Sequence, residues 1–379
     1  MSAVTKNDFE QSLAIVRKKP ASAFVRVIKY SVGRLASLVF SVIVAIFLTI
    51  VIANMGGKVD EIRMGEIRET VVQGVRGNQA NRDLTPEQFQ ALVDDLVYQE
   101  AHSQGLDRPF MLRVLSFMKK ALTLDLGSAL RMTSDTGSKQ VRLIILERLP
   151  PTLLLWGTSG LLLFFVEIGI ALSLSRRYGS FLDKFFVTMA PLSTTPGWFF
   201  GIFLILIFAS ALRILPFGGM VDAPVPKTTF DYTMSLLKHM ILPTLALTLS
   251  QVFLQIYNWR TFFLIYSSED YVEVAKAKGL SDRDIERKYI LRPTLPSIIT
   301  NFALTLIALW LGGPILETIF NWPGLGRAFY EAVQFYDTPV ILGQTVIYAY
   351  LLAGTVFLLD YIYALVDPRV KIGGGGGNP

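Results

Sequence analysis

The sequence has no cysteine and only two histidines, His102 and His239. The missing thiols exclude disulfides and thiolate chemistry, and leave the redox compartment open. Two histidines so far apart in sequence give no support to a histidine-based metal or catalytic centre. Charge is also scarce: 17% of residues are charged, against about 25% in an ordinary soluble domain. No Gly-x-x-x-x-Gly-Lys-Ser/Thr phosphate loop occurs anywhere, so the chain is not itself a P-loop ATPase. No serine in a Gly-x-Ser-x-Gly context accompanies His239, which argues against an intramembrane serine protease. No strong internal repeat is present.

Apolar residues fill the space left by charge. They make up 52% of the chain, the mean hydropathy is +0.46, and they cluster in runs of about 20 to 25 residues, long enough to cross a bilayer as helix. Six spans are expected, near residues 31–55, 152–174, 185–212, 240–265, 297–319 and 340–366. They must be helices, because lipid offers backbone groups no partners. The fold class is therefore an all-α membrane protein. The first run is too long and starts too late for a cleaved signal peptide, so it reads as a retained anchor.

The short loops set the orientation. Arg176, Arg177 and Lys184 follow the second span; Lys276, Lys278, Arg283, Arg287, Lys288 and Arg292 follow the fourth; Arg369 and Lys371 follow the sixth. The other short loops are nearly bare, with Arg213 and Lys227 in one and Arg327 in the other. The basic loops belong inside, so both termini are expected in the cytoplasm. The net charge of +6 then reflects this asymmetry and does not point to nucleic acid. The expected organisation is a cytoplasmic amphipathic segment (1–30), the first span (31–55), an extracytoplasmic insert (56–150), a membrane core (151–366) with a cytoplasmic loop at 266–296, and a tail (367–379). Phe9, Leu13 and Val16 share one face of the basic amphipathic stretch 7–19, which suits the inner membrane surface. Inside the insert, Thr85 is an N-cap, with Pro86 and Glu87 in the first turn. Gly373 to Gly377 form a flexible tail.

The loop 266–296 is the most informative segment. Asp270 to Ala277 reads as a short helix stopped at Gly279, which can take the positive φ of a helix end. Ser281 is the N-cap of a second segment, with Asp284 three residues on and Ile285, Tyr289 and Arg292 at helical spacing. Elsewhere, Gln251, Gln255 and Asn258 form a polar stripe in the fourth span, and Asn301 and Thr305 lie in the fifth. Such amides face a water-filled route or bond to a neighbouring helix. Thr194, Thr195, Pro196 and Gly197 interrupt the third span. Glu167 in the second span is either a functional group or half of a structural pair. The break at Gly312-Gly313-Pro314 and the turn containing Asn321, Trp322 and Gly324 suit either a gate or a static re-entrant loop.

Glu273, Val274, Ala275 and Gly279 stand in the places of the EAA loop, and the loop resembles the coupling helix of ABC-importer permeases, with Val in place of the second Ala. The stretches Ala275-Lys276-Ala277-Lys278-Gly279-Leu280-Ser281 and Leu291-Arg292-Pro293-Thr294-Leu295-Pro296 are similar to the dipeptide/oligopeptide branch. So are Asp125-Leu126-Gly127-Ser128, Glu147-Arg148-Leu149-Pro150-Pro151-Thr152, the run Glu317 to Gly326 and the run Asp360 to Arg369. Residues 54–81 depart from the branch's shorter connection. The resemblance implies a type I importer permease fold of six helices, with residues 273–279 (Glu273, Val274, Ala275, Lys276, Ala277, Lys278, Gly279) coupling to the ATPase. It implies a second permease chain, two ATPase subunits holding ATP and magnesium, an extracytoplasmic substrate-binding protein, and no cofactor in this chain. Peptides are the implied cargo, with oligosaccharides or nickel as alternatives. A secondary transporter or channel is the rival outside the family, and it would leave the coupling loop without a role.

Overall fold

A computed structural model describes residues 23–55, 58–103, 105–310 and 312–366. The amphipathic stretch 7–19 and the tail 367–379 lie outside the described residues. The described residues are almost wholly helical, with no strand beyond an isolated antiparallel bridge between Ser128 and Gln140.

The first helix, α1 (Ala23–Met55), carries Val39, Phe40, Leu48 and Ile52 on an exposed apolar face, the surface a bilayer would cover. α2 (Lys58–Gly77) and α3 (Pro86–Ser103) form a hairpin closed over Ile67, Val75, Val93 and Val97. Thr85 and Gln88 bond reciprocally at the start of α3, the capping-box geometry that orients a helix N-terminus. α4 (Phe110–Leu122) seats Val114 and Ala121 against Val42, Ile46 and Ile50 of α1. Arg113 on α4 holds both oxygens of Asp60 at 2.8 Å.

The remaining helices form the membrane core. α5 (Val141–Arg176) is followed by α6 (Phe181–Met189), a 3₁₀ turn (Ala190–Thr194), and α7 (Gly197–Leu204), which continues as π-helix (Ile205–Ala211). Then come α8 (Thr229–Leu249), α9 (Val252–Ser267), α10 (Asp270–Ala277) and α11 (Asp282–Ile285), the last running through a π segment (Glu286–Leu291) into α12 (Arg292–Ala308). α13 (Pro314–Ile319), α14 (Leu325–Gln334) and α15 (Thr338–Val366) complete the chain.

Among the described residues, four helices or helical runs are long and apolar enough to cross a membrane: Tyr30–Ile52, Val141–Arg176, Asp282–Ala308 and Thr338–Ile362. The third and fourth expected spans are each broken into a bent pair, by 98° between Thr194 and Gly197 and by 50° between Leu249 and Val252. With each bent pair taken as one crossing there are up to six among the described residues. Pro196, which cannot continue the helix before it, accounts for the first break. The fifth helix ends at Ala308 rather than running on to 319, because Gly312, at φ +63°, turns the chain before Pro314 opens α13. Conversely, α5 begins at Val141 rather than at 152, and Pro150 and Pro151 do not stop it. Its first turns bury Val141, Ile144 and Ile145 against Leu325, Ala328 and Val340, so packing outweighs the local penalty.

Candidate functional site

The loop 266–296 is built from two local signals. α10 ends in a Schellman motif: Gly279 N donates to Lys276 O at 2.9 Å, and Leu280 N donates to Ala275 O at 3.3 Å. The motif places Gly279 at φ +72°, a backbone region that costs most L-residues energy. Ser281 then accepts from Asp284 N and restarts the helix. Val272 and Ala275 are the buried side of α10, packed among Leu172, Phe263, Ile285 and Ile290. Glu273, Val274, Lys276, Ala277, Lys278 and Gly279 are exposed. Tyr271 stacks on Tyr289 at 6.5 Å, and burial pushes its hydroxyl above the ordinary range. Among the basic residues of the loop, Lys288 pairs with Asp284 at 2.8 Å. Arg176 at the end of α5 pairs with Glu286 at 2.6 Å. Spacing alone aligned Ile285 with Tyr289. The π segment widens the turn, and Ile285 and Ile290, five apart, are the buried pair. Pro293 and Pro296 cannot donate to the carbonyls four residues back, which favours this wider turn.

The polar stripe lies on α9 but does not run through one continuous helix. Gln251 sits at the break with φ −132°, and only Gln255 and Asn258 join by a weak 3.5 Å bond. Gln251 and Asn258 are exposed and Gln255 half-buried. On α12, Asn301 donates to Ser297 O and Thr305 to Asn301 O, each within its own helix. Glu167 faces Trp259 on α9 rather than a cation.

Gly312, Gly313, Trp322 and Gly324 are brought together around a residue that sequence reasoning quoted but did not single out. Glu317 on α13 has no exposed surface. Its carboxylate accepts from Trp156 Nε1 at 2.9 Å, Thr152 Oγ1 at 3.3 Å, Arg327 N at 3.0 Å and Gly313 N at 3.4 Å. Trp322, fully buried, donates to Pro151 O at 2.9 Å. Thr152 in turn accepts from Leu325 N at 2.6 Å. Gly324 has no room for a side chain, since a Cβ there would overlap Glu317 and Thr152. Asn321 is exposed at φ +50°, and Arg327 donates to its side-chain oxygen. The turn 321–326 is thus tied to α5.

Two further acids were missed. Asp183 at the start of α6 is buried with Arg260 of α9, which grips both of its oxygens. A lone arginine within an apolar run was the available signal. Asp337 is fully buried between α14 and α15 and accepts from the backbone of Leu130, Arg131 and Met132. No spacing rule joins residues two hundred positions apart. Among the described residues no group of three or more His, Cys, Asp and Glu is placed to hold a metal ion.

The helices, their breaks and the basic loop define a multi-pass membrane protein with a surface helix presented between two crossings. Residues 167–372 match the family model for the binding-protein-dependent transport system inner membrane component. The chain is 32% identical to a putative peptide permease protein of Brucella suis over 270 residues, covering 71% of this chain and 82% of that one. It is 30% identical to a dipeptide transport system permease protein of Bacillus subtilis over 271 residues, covering 70% and 81%. It is 31% identical to a probable D,D-dipeptide transport system permease protein of Escherichia coli over 304 residues, covering 75% and 87%. The chain belongs to this family, the permease subunits of ABC importers.

Proposed function

We propose that the chain forms half of the translocation pathway of an ATP-driven importer of dipeptides or oligopeptides. The carrying observation is α10: anchored by Val272 and Ala275, it presents Glu273, Val274, Lys276, Ala277 and Lys278 to a partner. Ala277 and Gly279, small and exposed at its end, let another protein approach closely. Two ATPase subunits, holding ATP and magnesium, receive α10; this chain holds no cofactor. A second permease chain completes the pathway, and an extracytoplasmic binding protein delivers the cargo. Both termini are cytoplasmic and the insert 56–150 is extracytoplasmic, which the basic residues of the loop 266–296 support.

Gln251, Gln255, Asn258, Asn301 and Thr305 line the pathway. The exposure of Gln251, Asn258 and Asn301 supports this, since exposed amides of a membrane span need either water or a partner chain. Gly312, Gly313, Asn321, Trp322 and Gly324 form the gate. The bond from Trp322 to Pro151, and those joining the intervening Glu317 and Leu325 to Thr152 and Trp156, support a rigid body that moves together with the neighbouring part of α5. The peptide and dipeptide permeases among the relatives support peptides as cargo.

The test is gentle extraction of the tagged chain in detergent, with its stoichiometric partners identified by mass spectrometry. Recovery of a second permease and ATPase subunits supports the importer, and the ligand carried by the associated binding protein then decides between peptide, oligosaccharide and nickel. A chain that is stable alone and transports without ATP refutes the proposal in favour of a channel or secondary transporter.

A further inference from the structure

The breaks in the third and fourth crossings are stitched to one another. At the α8–α9 break the backbone leaves a carbonyl at Leu249 and an amide at Phe253 without their helical partners. A single side chain, Ser193 of the 3₁₀ turn that ends at the other break, serves both. Its hydroxyl donates to Leu249 O at 3.3 Å and accepts from Phe253 N at 3.2 Å. Ser193 is buried, so water does not compete for these bonds.

On the coupling-loop side of the two breaks, α6 and the 3₁₀ turn pack on α9. There the buried pair of Asp183 and Arg260 fastens them. Arg260 Nη2 donates to Asp183 Oδ2 at 2.6 Å and Nε donates to Oδ1. Gly179 N donates to Asp183 as well, at 2.9 Å, and the guanidinium lies 5.0 Å from the centre of the Tyr178 ring. A fork-to-fork ion pair fixes orientation as well as distance. On the far side of the breaks, α7 packs instead on α8 and α13, within a separate apolar core containing Leu204, Leu242, Ala246, Leu316, Phe320 and Trp322. The near-side core holds Trp259, Phe263, Val272 and Ala275, and so includes the coupling helix itself. The two cores meet near the broken helices, and the unbroken α5 contributes Leu155 to the far one and Leu163 and Phe164 to the near one.

We infer that Asp183, Arg260 and Ser193 are positioning residues for ATP-driven transport. They lock α6, the 3₁₀ turn, α9 and α10 into one lever that turns about the paired breaks. α10 follows α9 after two residues, so a displacement of the coupling helix enters the lever directly. The ion pair makes α6 follow α9 as α10 moves, and Ser193 keeps the two break points coincident. Without the pair, α10 moves but α6 lags, and the push is spent in local slippage. Packed cores transmit strain because they are dense and incompressible.

This inference rests on the importer reading. It is tested on the full complex of permeases and ATPases in liposomes, with the binding protein added or withheld. The chain has no cysteine of its own, so spin labels can be placed at will on exposed positions Leu182 of α6, Ile265 of α9 and Leu237 of α8. Between nucleotide-free and ATP-trapped states, the distance between labels at 182 and 265 stays constant, while that between 237 and 265 changes. Asp183→Asn and Ser193→Ala lower the stimulation of ATP hydrolysis by binding protein at least about fivefold, the lower end of ordinary allosteric coupling, in complexes that still assemble. Ser193→Thr, which keeps the hydroxyl, restores it. The lever is overturned if the 182-to-265 distance shifts as much as the 237-to-265 distance. It is equally overturned if the assembled Asp183→Asn complex keeps full stimulation, or if its loss is matched by failure to assemble and Ser193→Thr brings no recovery. Uptake independent of ATP in the unsubstituted complex refutes the importer reading itself, and the inference with it.

Discussion

Single residues carry the sharpest consequences at Gly279 and Glu317. At φ +72°, Gly279 closes α10, and a β-branched side chain there costs of order 1–3 kcal/mol of backbone strain. Gly279→Val is expected to misplace the end of α10 and uncouple ATP hydrolysis from uptake while the chain still inserts. Normal uptake by membranes containing the variant would disprove this. Glu317 is a buried acceptor surrounded by four neutral donors. In Glu317→Gln the new NH₂ faces donors and finds no acceptor, a loss of about 1–3 kcal/mol. Thermal unfolding in detergent, followed by size-exclusion chromatography, should show a clearly lowered midpoint; an unchanged midpoint would mean the carboxylate's bonds are not what holds the turn. The glycine was legible in the sequence because a helix stop announces it. The role of Glu317 was not, because its side-chain donors, Trp156 and Thr152, come from α5, 161 and 165 positions away.

Among the elements, the second half of the coupling loop depends on its cap. Ser281 accepts from Asp284 N and donates to the Asp284 side chain. Removing the hydroxyl in Ser281→Ala costs about 1 kcal/mol, equivalent to roughly a fivefold change in a local opening equilibrium. Hydrogen exchange at amides 284–287 should accelerate by that factor, while exchange in α9 stays as it is. Equal acceleration in α9 would indicate that α11 and α9 open together. Both caps of the loop and the capping box of α3 follow from local residue types, so spacing was sufficient to place them. The π segment and the two broken crossings were not placed this way. Apolar runs look the same in sequence whether the helix within them is straight or bent, and the partner that heals the α8–α9 break, Ser193, lies some sixty positions earlier.

For the whole molecule, orientation is the quantity that unites the readings. The turn between α2 and α3 exposes Arg82, and the orientation proposed above puts the insert outside. Trypsin added to intact spheroplasts should therefore cut at Arg82 and leave a C-terminal tag protected. Cleavage of the tag with Arg82 intact would invert the topology and move the loop 266–296 to the wrong side for an ATPase.

Composition and local pattern determined that the chain is a helical membrane protein, where its apolar runs lie, which loops are basic and where α10 begins and ends. These properties depend on nearest neighbours along the chain: hydrophobic length, charge between spans, caps and glycine stops. The tertiary structure alone decided that Glu317 ties the outer turn to α5, that Asp337 clamps residues 130–132, and that Asp183 and Arg260 join two bent crossings. Each is a buried charge satisfied by groups distant in sequence, and only folding brings such partners into hydrogen-bond range.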